Sequence, residues 1–310
     1  MREDRRNRNP NGLPGLRTTA SEEIHVIGVA MNVDAPTQRV TVIRPTRGWK
    51  AVNWRELWAY RELLYFLVWR DIKVRYKQTV LGVLWVIIQP LLMALIFTFV
   101  FGRLAGITIP GIPFLLFAFA SLLPWNLFTK GLAEGSTSLV SNERLVTKVY
   151  FPRLLLPAAA VVAGLVDFTI GLGVLAALIV YFGIVPSLAF VAFPAFVLAT
   201  VIAAIGIAFL LSAIDARYRD VRYTLPFLTM FLLFATPIFY PLSFVPDSWR
   251  WVYALNPMVG VVEGFRWSLF GSSYATDGGV IGISLAVVAI LFLSGVFYFK
   301  RTESRIADTV

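Results

Sequence analysis

The sequence predicts an all-α integral membrane protein with six transmembrane helices. Of the 310 residues, 58% are hydrophobic and only 15% are charged, whereas soluble chains are about a quarter charged. Apolar runs of about twenty residues recur, which is the length that crosses roughly 30 Å of hydrocarbon as a helix. Basic residues collect in alternate loops, as in multi-pass proteins whose cytoplasmic loops are positive.

The charge and the residue types exclude several kinds of site. A net charge of +10 would favour a nucleic-acid partner in a soluble protein, but in a membrane protein the cations meet anionic lipid headgroups. We therefore expect membrane lipids and no nucleic acid as partners. The chain has no cysteine, and its one histidine, His25, precedes the first span. We expect no metal, no cofactor and no catalytic residue in this chain.

Residues 1–49 are predicted to form a disordered, basic cytoplasmic tail, because they are polar and rich in Arg, Asn, Pro and Thr. The tail starts with arginines, but neither an apolar run of signal-peptide length nor a cleavage site follows. We expect it to be retained.

Residues 50–78 are predicted to form an amphipathic helix in the membrane interface. On a helical wheel, Leu and aromatic side chains separate from most of the charged ones. Arg61 and Arg75 are the exceptions on the apolar side. Either both extend to lipid headgroups, or they meet a phosphate that enters from the inner leaflet.

A six-span domain is predicted over residues 79–305. The spans are expected at about 80–101, 112–132, 155–182, 187–212, 221–241 and 279–299. Prolines within them predict kinks, at Pro90, Pro124, Pro194 and Pro237. Because the basic loops are those before the first span, between spans two and three, between four and five and after the sixth, both termini are predicted to be cytoplasmic.

Two cytoplasmic loops carry more pattern than a simple connection needs. Residues 141–157, SNERLVTKVYFPRLLLP, have helical spacing and mixed charge, so a short surface helix is predicted. It is either a solvated turn or a docking surface for a soluble partner. Residues 213–223 contain DARYRDVRY, which either satisfies itself by local ion pairs or forms a second contact.

The outer segment, residues 242–271, is too long for a turn and too apolar for a free loop. Asn256 followed by Pro257 predicts a helix start, and a further helix is predicted over about 247–255. Re-entrant or outer-leaflet helices fit best. The aromatic residues are either an interfacial belt or a stacking surface for a ligand, and Glu263 and Arg266 are expected to pair.

Asp167 is a carboxylate well inside a span. A charge there is costly, so the side chain should face the bundle interior, in either a structural or a functional role. The sequence contains no G-x-x-x-x-G-K-[ST] motif, so ATP-driven transport would need a second polypeptide to hydrolyse ATP.

Two long motifs carry a family resemblance. WRDIKVRYKQTVLGVLWVIIQPLLMALIFTFVFGRLAGI (69–107) and NPMVGVVEGFRWSLFG (256–271) resemble signatures of the transmembrane subunits of ABC transporters that export polysaccharides such as O-antigen and teichoic acid. The similarity covers roughly residues 50–305. It implies a homodimer in the bacterial inner membrane that moves a lipid-linked polysaccharide, with ATP and Mg on two copies of a separate ATPase.

The resemblance also implies roles for particular residues. The interfacial helix would be a gate at the inner leaflet, with Arg61, Trp69, Lys73, Arg75, Tyr76 and Lys77 at the substrate entrance. The loop 141–157 would contact the ATPase through Asn142, Glu143, Arg144, Lys148, Phe151, Pro152 and Arg153. The outer gate and channel would be formed by Trp249, Trp251, Asn256, Glu263, Phe265, Arg266 and Trp267, with Asp167 as an intramembrane polar group.

Two other functions compete with this interpretation. An ABC permease for a small hydrophobic drug or lipid would share most of these features. A membrane-embedded glycosyl- or acyltransferase would need a general base at the membrane surface, but the outward carboxylates Asp247, Glu263 and Asp277 are scattered. A passive channel is disfavoured because no span shows a charged filter.

Overall fold

The computed structural model describes residues 54–77, 82–185, 187–271, 274 and 276–309, and within these ranges the side chains of residues 55–303. The predicted tail over residues 1–49 lies outside these ranges. All elements within them are helices. They are α1 (Trp54–Ala59), α2 (Arg61–Lys77), α3 (Val83–Phe97) with a π-helical continuation (Thr98–Leu104), α4 (Phe114–Ser141), α5 (Glu143–Lys148), α6 (Leu155–Tyr181), a 3-10 turn (Leu188–Ala192), α7 (Phe193–Asp215), α8 (Val221–Ala235), a 3-10 turn (Leu242–Phe244), α9 (Asp247–Ala254), α10 (Pro257–Phe270) and α11 (Gly278–Thr309).

Five helices in the described part of the chain are long and apolar enough to cross a membrane. They correspond to five of the six predicted spans and lie at Val83–Leu104, Phe114–Ser141, Leu155–Tyr181, Leu188–Asp215 and Gly278–Glu303. The predicted span over 221–241 corresponds to α8, which has 15 residues and a length of about 22 Å. It ends at Ala235 because Thr236 is extended and Pro237 cannot continue the backbone hydrogen bonds of the helix.

Of the four prolines expected within spans, two lie inside helices and two lie at helix ends. Pro90 and Pro124 lie inside α3 and α4, as predicted. Pro194 instead lies in the first turn of α7, where its missing N–H needs no partner. Pro237 follows the end of α8 rather than bending it.

Helix α4 is the centre of the bundle. Its inner residues, among them Leu116, Phe117, Phe119 and Phe128, are almost fully buried, and it packs on α6, α7, α10 and α3. Helix α3 is largely exposed along its length. The core therefore lies between α4, α6, α7, α10 and α11. The side of α3 that faces away from α4 is exposed.

Helices α7 and α11 cross at two glycines. A Cβ atom on Gly295 would lie 2.0 Å from the carbonyl oxygen of Gly206, and one on Gly206 would lie 2.6 Å from the Cα of Phe292. Both glycines are therefore required by the close approach of the two backbones rather than by their own backbone angles.

We predict that Gly295→Ala destabilises the detergent-solubilised protein by about 1–3 kcal/mol, because the added methyl group must separate the two helices. Its thermal unfolding temperature, followed by tryptophan fluorescence, should fall by several degrees. Gly282→Ala is the matched control, since a Cβ there has nothing within 4 Å. An equal stability of both variants would contradict the helix crossing.

Candidate functional site

Helix α2 has two different faces. On one face, Leu67 is buried and Leu64 and Val68 are half-buried against α6 and its neighbours. On the other face, aromatic side chains such as Tyr65 and Phe66 are exposed, at 63% and 65%. The helix is therefore held on the bundle by one face and presents an aromatic surface with the other.

The exposed face forms a groove of about 390 Å³, which we call the α2 groove. It is lined by Phe66, Trp69, Arg70, Lys73, Val74 and Lys77. The Lys73 Nζ lies 5.3 Å from the centre of the Trp69 ring, within the range of a cation–π contact. The groove brings together Trp69, Lys73 and Lys77 of the predicted entrance residues.

The other entrance residues lie elsewhere. Arg61 is exposed near the start of α2, and its Nη1 donates to the Trp58 carbonyl at 3.4 Å. It is sixteen residues from Lys77, about 24 Å along a helix. Arg75 and Tyr76 point away from the groove and into the bundle.

Asp167, on α6, gathers four side chains that we call the Asp167 cluster: Arg75, Tyr76, Lys130 and Glu134. Arg75 Nη1 donates to Asp167 Oδ2 at 2.8 Å, while Arg75 Nη2 pairs with Glu134. The Lys130 ammonium and the Tyr76 hydroxyl also donate to Asp167. The cluster thus joins α2, α4 and α6.

Electrostatics explains why these groups meet. The Asp167 side chain is only 11% exposed, and a buried carboxylate needs paired, hydrogen-bonding partners. Arg75 and Lys130 balance Asp167 and Glu134, so the cluster is neutral. Burial and the hydrogen bond to Asp167 raise the pKa of the Tyr76 hydroxyl, which therefore keeps its proton and remains a donor.

Sequence reasoning missed Lys130 and Glu134. The second span was predicted to end at 132, whereas α4 continues to Ser141. The available signal was their spacing of four, which places both on one helix face, in a chain whose intramembrane carboxylate Asp167 needed cations.

A second contact joins α2 to the loop 141–157. Arg70 Nη1 donates to Asn142 Oδ1 at 2.8 Å, and Asn142 Nδ2 donates to the Ser138 carbonyl at 2.8 Å. Asn142 is the residue between α4 and α5. The predicted ATPase-contact residue Asn142 is thus also the point at which α2 is fixed to this loop.

The predicted short helix in this loop is α5, Glu143–Lys148. Glu143, Arg144 and Lys148 are exposed. Arg153 Nη1 instead donates to the Glu303 carbonyl at 2.6 Å, near the end of α11. Phe151 and Pro152 are buried beneath the loop, so these two and Arg153 hold α5 in place rather than face outward.

The loop 213–223 satisfies itself in part, as one of the two interpretations predicted. Asp215 is buried and accepts from Arg222 Nη2 at 3.1 Å. Arg217, Tyr218 and Arg219 are exposed. This leaves a small basic and aromatic surface between α7 and α8.

The outer segment contains the two predicted helices, α9 and α10. Asn256 caps α10 by accepting from the Met258 N–H at 3.0 Å. Trp249 and Trp251 on α9 are exposed at 59% and 60%, whereas Trp267 is half-buried. Only part of the predicted outer gate therefore faces outward.

Glu263, Phe265 and Arg266 are fully buried. The predicted ion pair is present, with Arg266 Nη1 at 3.0 Å from Glu263 Oε1. Arg266 also donates to Ser121 Oγ and to the Ile238 carbonyl, each at 2.6 Å. These contacts fix α10 to α4 and to the chain after α8, which is a structural role.

A wide cleft of about 840 Å³ lies beside the Asp167 cluster, between α3, α4, α6 and α8. Lys130 and Asp167 lie on its wall, together with Arg222. Uncharged polar residues and aromatic residues share the lining, including Gln89, Asn126, Thr129, Thr137, Thr229, Trp85 and Trp125. The cleft therefore combines a mainly apolar surface with polar side chains from all four helices.

The chain matches the family described as ABC-2 type transporter over residues 62–270. It is 34% identical over 254 residues to the O-antigen export system permease protein RfbA of Myxococcus xanthus, covering 80% of this chain and 96% of that protein. RfbA of Klebsiella pneumoniae is 29% identical over 248 residues, 80% and 94% of the two chains. The polysialic acid transport protein KpsM of Escherichia coli is 27% identical over 253 residues, 77% and 93%.

We predict that Arg75→Ala lowers the free energy of unfolding by about 1–3 kcal/mol, since Glu134 and Asp167 lose a shared cation while Lys130 remains. The measurement is thermal unfolding of the purified chain in detergent. Lys77→Ala, two residues away and exposed, should leave the unfolding temperature unchanged. Equal losses in both variants would mean that Arg75 is not engaged by the cluster.

Proposed function

Since the chain belongs to the ABC-2 type transporter family, we propose that it is the permease subunit of an ATP-driven exporter of a lipid-linked polysaccharide. The substrate would move from the cytoplasmic leaflet of a bacterial inner membrane to its outer side. The observation that carries the proposal is the similarity to O-antigen export permeases across 80% of this chain and more than nine-tenths of theirs. The chain is a multi-pass membrane protein.

The active assembly in this proposal is a homodimer of the chain with two copies of a separate ATPase, which holds ATP and Mg. Both termini lie on the cytoplasmic side. The exposed charges of α5, Glu143, Arg144 and Lys148, support a contact with a soluble partner, and Arg217 and Arg219 would add a smaller one. The lack of a Walker A motif in the sequence is consistent with an ATPase on another chain.

The α2 groove is the proposed entrance for the lipid-linked substrate. A polyprenyl pyrophosphate is anionic at the membrane surface, and Lys73 and Lys77 supply cations there. Phe66 and Trp69 supply apolar and aromatic contact for the adjoining lipid or sugar. Arg75 and Tyr76 have a different role in this proposal, because the Asp167 cluster engages both.

ATPase closure would act through α5. Because the loop 141–157, which contains α5, is tied to α2 by the Arg70–Asn142 hydrogen bond and to α11 by Arg153, a displacement of α5 would reach both helices. Movement of α2 would then change access to the groove and to the cleft behind it.

Purification in mild detergent together with the ATPase, followed by reconstitution into liposomes, tests the function. We expect the ATPase at a one-to-one ratio, ATP hydrolysis stimulated by a polyprenyl-pyrophosphate-linked glycan, and its movement across the bilayer. Stimulation by a hydrophobic drug instead of the glycan would favour the drug exporter. Chemical change of the glycan without an ATPase would favour the transferase.

We predict that Lys73→Gln together with Lys77→Gln reduces glycan translocation in this assay by roughly tenfold or more, without loss of the bound ATPase, because the pyrophosphate loses the two groove cations that form no ion pair. Arg61→Gln is the matched control, an exposed cation on the same helix outside the groove. If Arg61→Gln impairs translocation as strongly as the double variant, general headgroup attraction explains the lysines and the groove is not a substrate site.

A further inference from the structure

The charges around the cleft are arranged differently from those in the α2 groove. Three of the cleft-lining residues that the structure describes are charged: Lys130, Asp167 and Arg222. Lys130 pairs with Asp167, and Arg222 pairs with the buried Asp215 at 3.1 Å. Each cation on the cleft wall therefore already has a carboxylate.

The balance of charge also includes Arg75 and Glu134, which do not line the cleft. Arg75 stands behind Asp167 and is shared between Asp167 and Glu134. Around the cleft, three cations thus pair with three carboxylates, and the net charge of these six groups is zero. No excess positive charge is available to compensate an anionic ligand in this part of the described structure.

The α2 groove has the opposite character. Arg70 pairs with Asp71 at 2.8 Å, but Lys73 and Lys77 form no ion pair with any residue in the described ranges. Of these two sites, the α2 groove therefore has unpaired cations, whereas the cations on the cleft wall are paired with carboxylates.

From this difference in charge we infer that the glycan passes along the cleft and that its repeat units are uncharged. The inference rests on the proposed function and narrows its substrate class. A chain with a carboxylate or phosphate in every repeat would place anions against a wall without free cations, and each would lose hydration without a partner.

Several uncharged groups on the cleft wall suit a neutral sugar. Gln89 and Asn126 carry amides with both donor and acceptor atoms, and Thr129, Thr137 and Thr229 add hydroxyls. Trp85, which is 55% exposed, offers a flat apolar face to a sugar ring. These groups bind hydroxyls and ring faces without requiring charge.

The inference is tested with the native chain, reconstituted with its ATPase, and two synthetic polyprenyl-pyrophosphate glycans of equal length. One carries neutral hexoses only, and the other has one uronic acid in each repeat. We expect translocation of the neutral glycan to be at least tenfold faster. Equal or faster translocation of the acidic glycan would overturn the inference and leave the proposed function intact, whereas movement of neither glycan would contradict the proposed function itself.

A charge added to the cleft wall provides a second test. Thr229→Lys places a cation in the cleft and should raise the ratio of acidic to neutral translocation several-fold. Thr224→Lys is the matched control, because Thr224 lies on the same helix, is exposed and does not line the cleft. In both threonines the hydroxyl donates only to a carbonyl three or four residues earlier. An unchanged ratio in Thr229→Lys, or an equal rise in Thr224→Lys, would contradict the inference.

Discussion

The carboxylate of Asp167 imposes the constraint on which the arrangement of the surface helix depends. Because it lies in an apolar helix, its charge has to be met by donors from neighbouring elements. Lys130 comes from α4, and Arg75 and Tyr76 come from the last turn of α2. Lys73 and Lys77 are each two residues from Arg75, so at about 100° per residue both lie about 160° from it around the helix axis. The buried network thus determines which cations remain available on the exposed face of α2.

A second buried charge organises the outer segment by the same principle. Helices α9 and α10 are too short to span a bilayer, and a short helix in an apolar environment has to have its polar groups covered by protein. Arg266 holds α10 against the protein that covers it, by donating to Ser121 on α4, to Glu263 and to the backbone after α8. Removal of the pair would therefore release α10 from two neighbours at once. The early end of α8 is part of this arrangement, because the carbonyl of Ile238 reaches Arg266 only where the helix has already stopped.

Local patterns predicted most of the fold, whereas pairing between distant residues could not be predicted. Five spans follow from hydropathy alone, and the start of α10 follows from Asn256–Pro257, because each depends on residues adjacent in sequence. Arg75 and Lys130, the partners of Asp167, are 92 and 37 residues away from it in the sequence. The periodicity of a single helix therefore cannot predict these contacts. The wheel placed Arg75 correctly off the charged face but offered only lipid or phosphate as its partner. The end of α8 was not predicted because the sequence stays apolar past Ala235, whereas the helical backbone ends there.

The two attachments of α2 have a mechanical consequence for the proposed transport cycle. Arg70 is tied to the α4–α5 junction and Arg75 to the Asp167 cluster, and the two residues are only about 7.5 Å apart along a rigid helix. Two fixed points on a rigid rod determine its direction. In that cycle, a shift of α5 would move the Arg70 end while the buried Arg75 end stays in its network, so α2 would tilt rather than slide. Since Lys73 lies between the two points along the helix, the groove would reorient with the tilt, which would relate an event at the ATPase to access at the membrane surface.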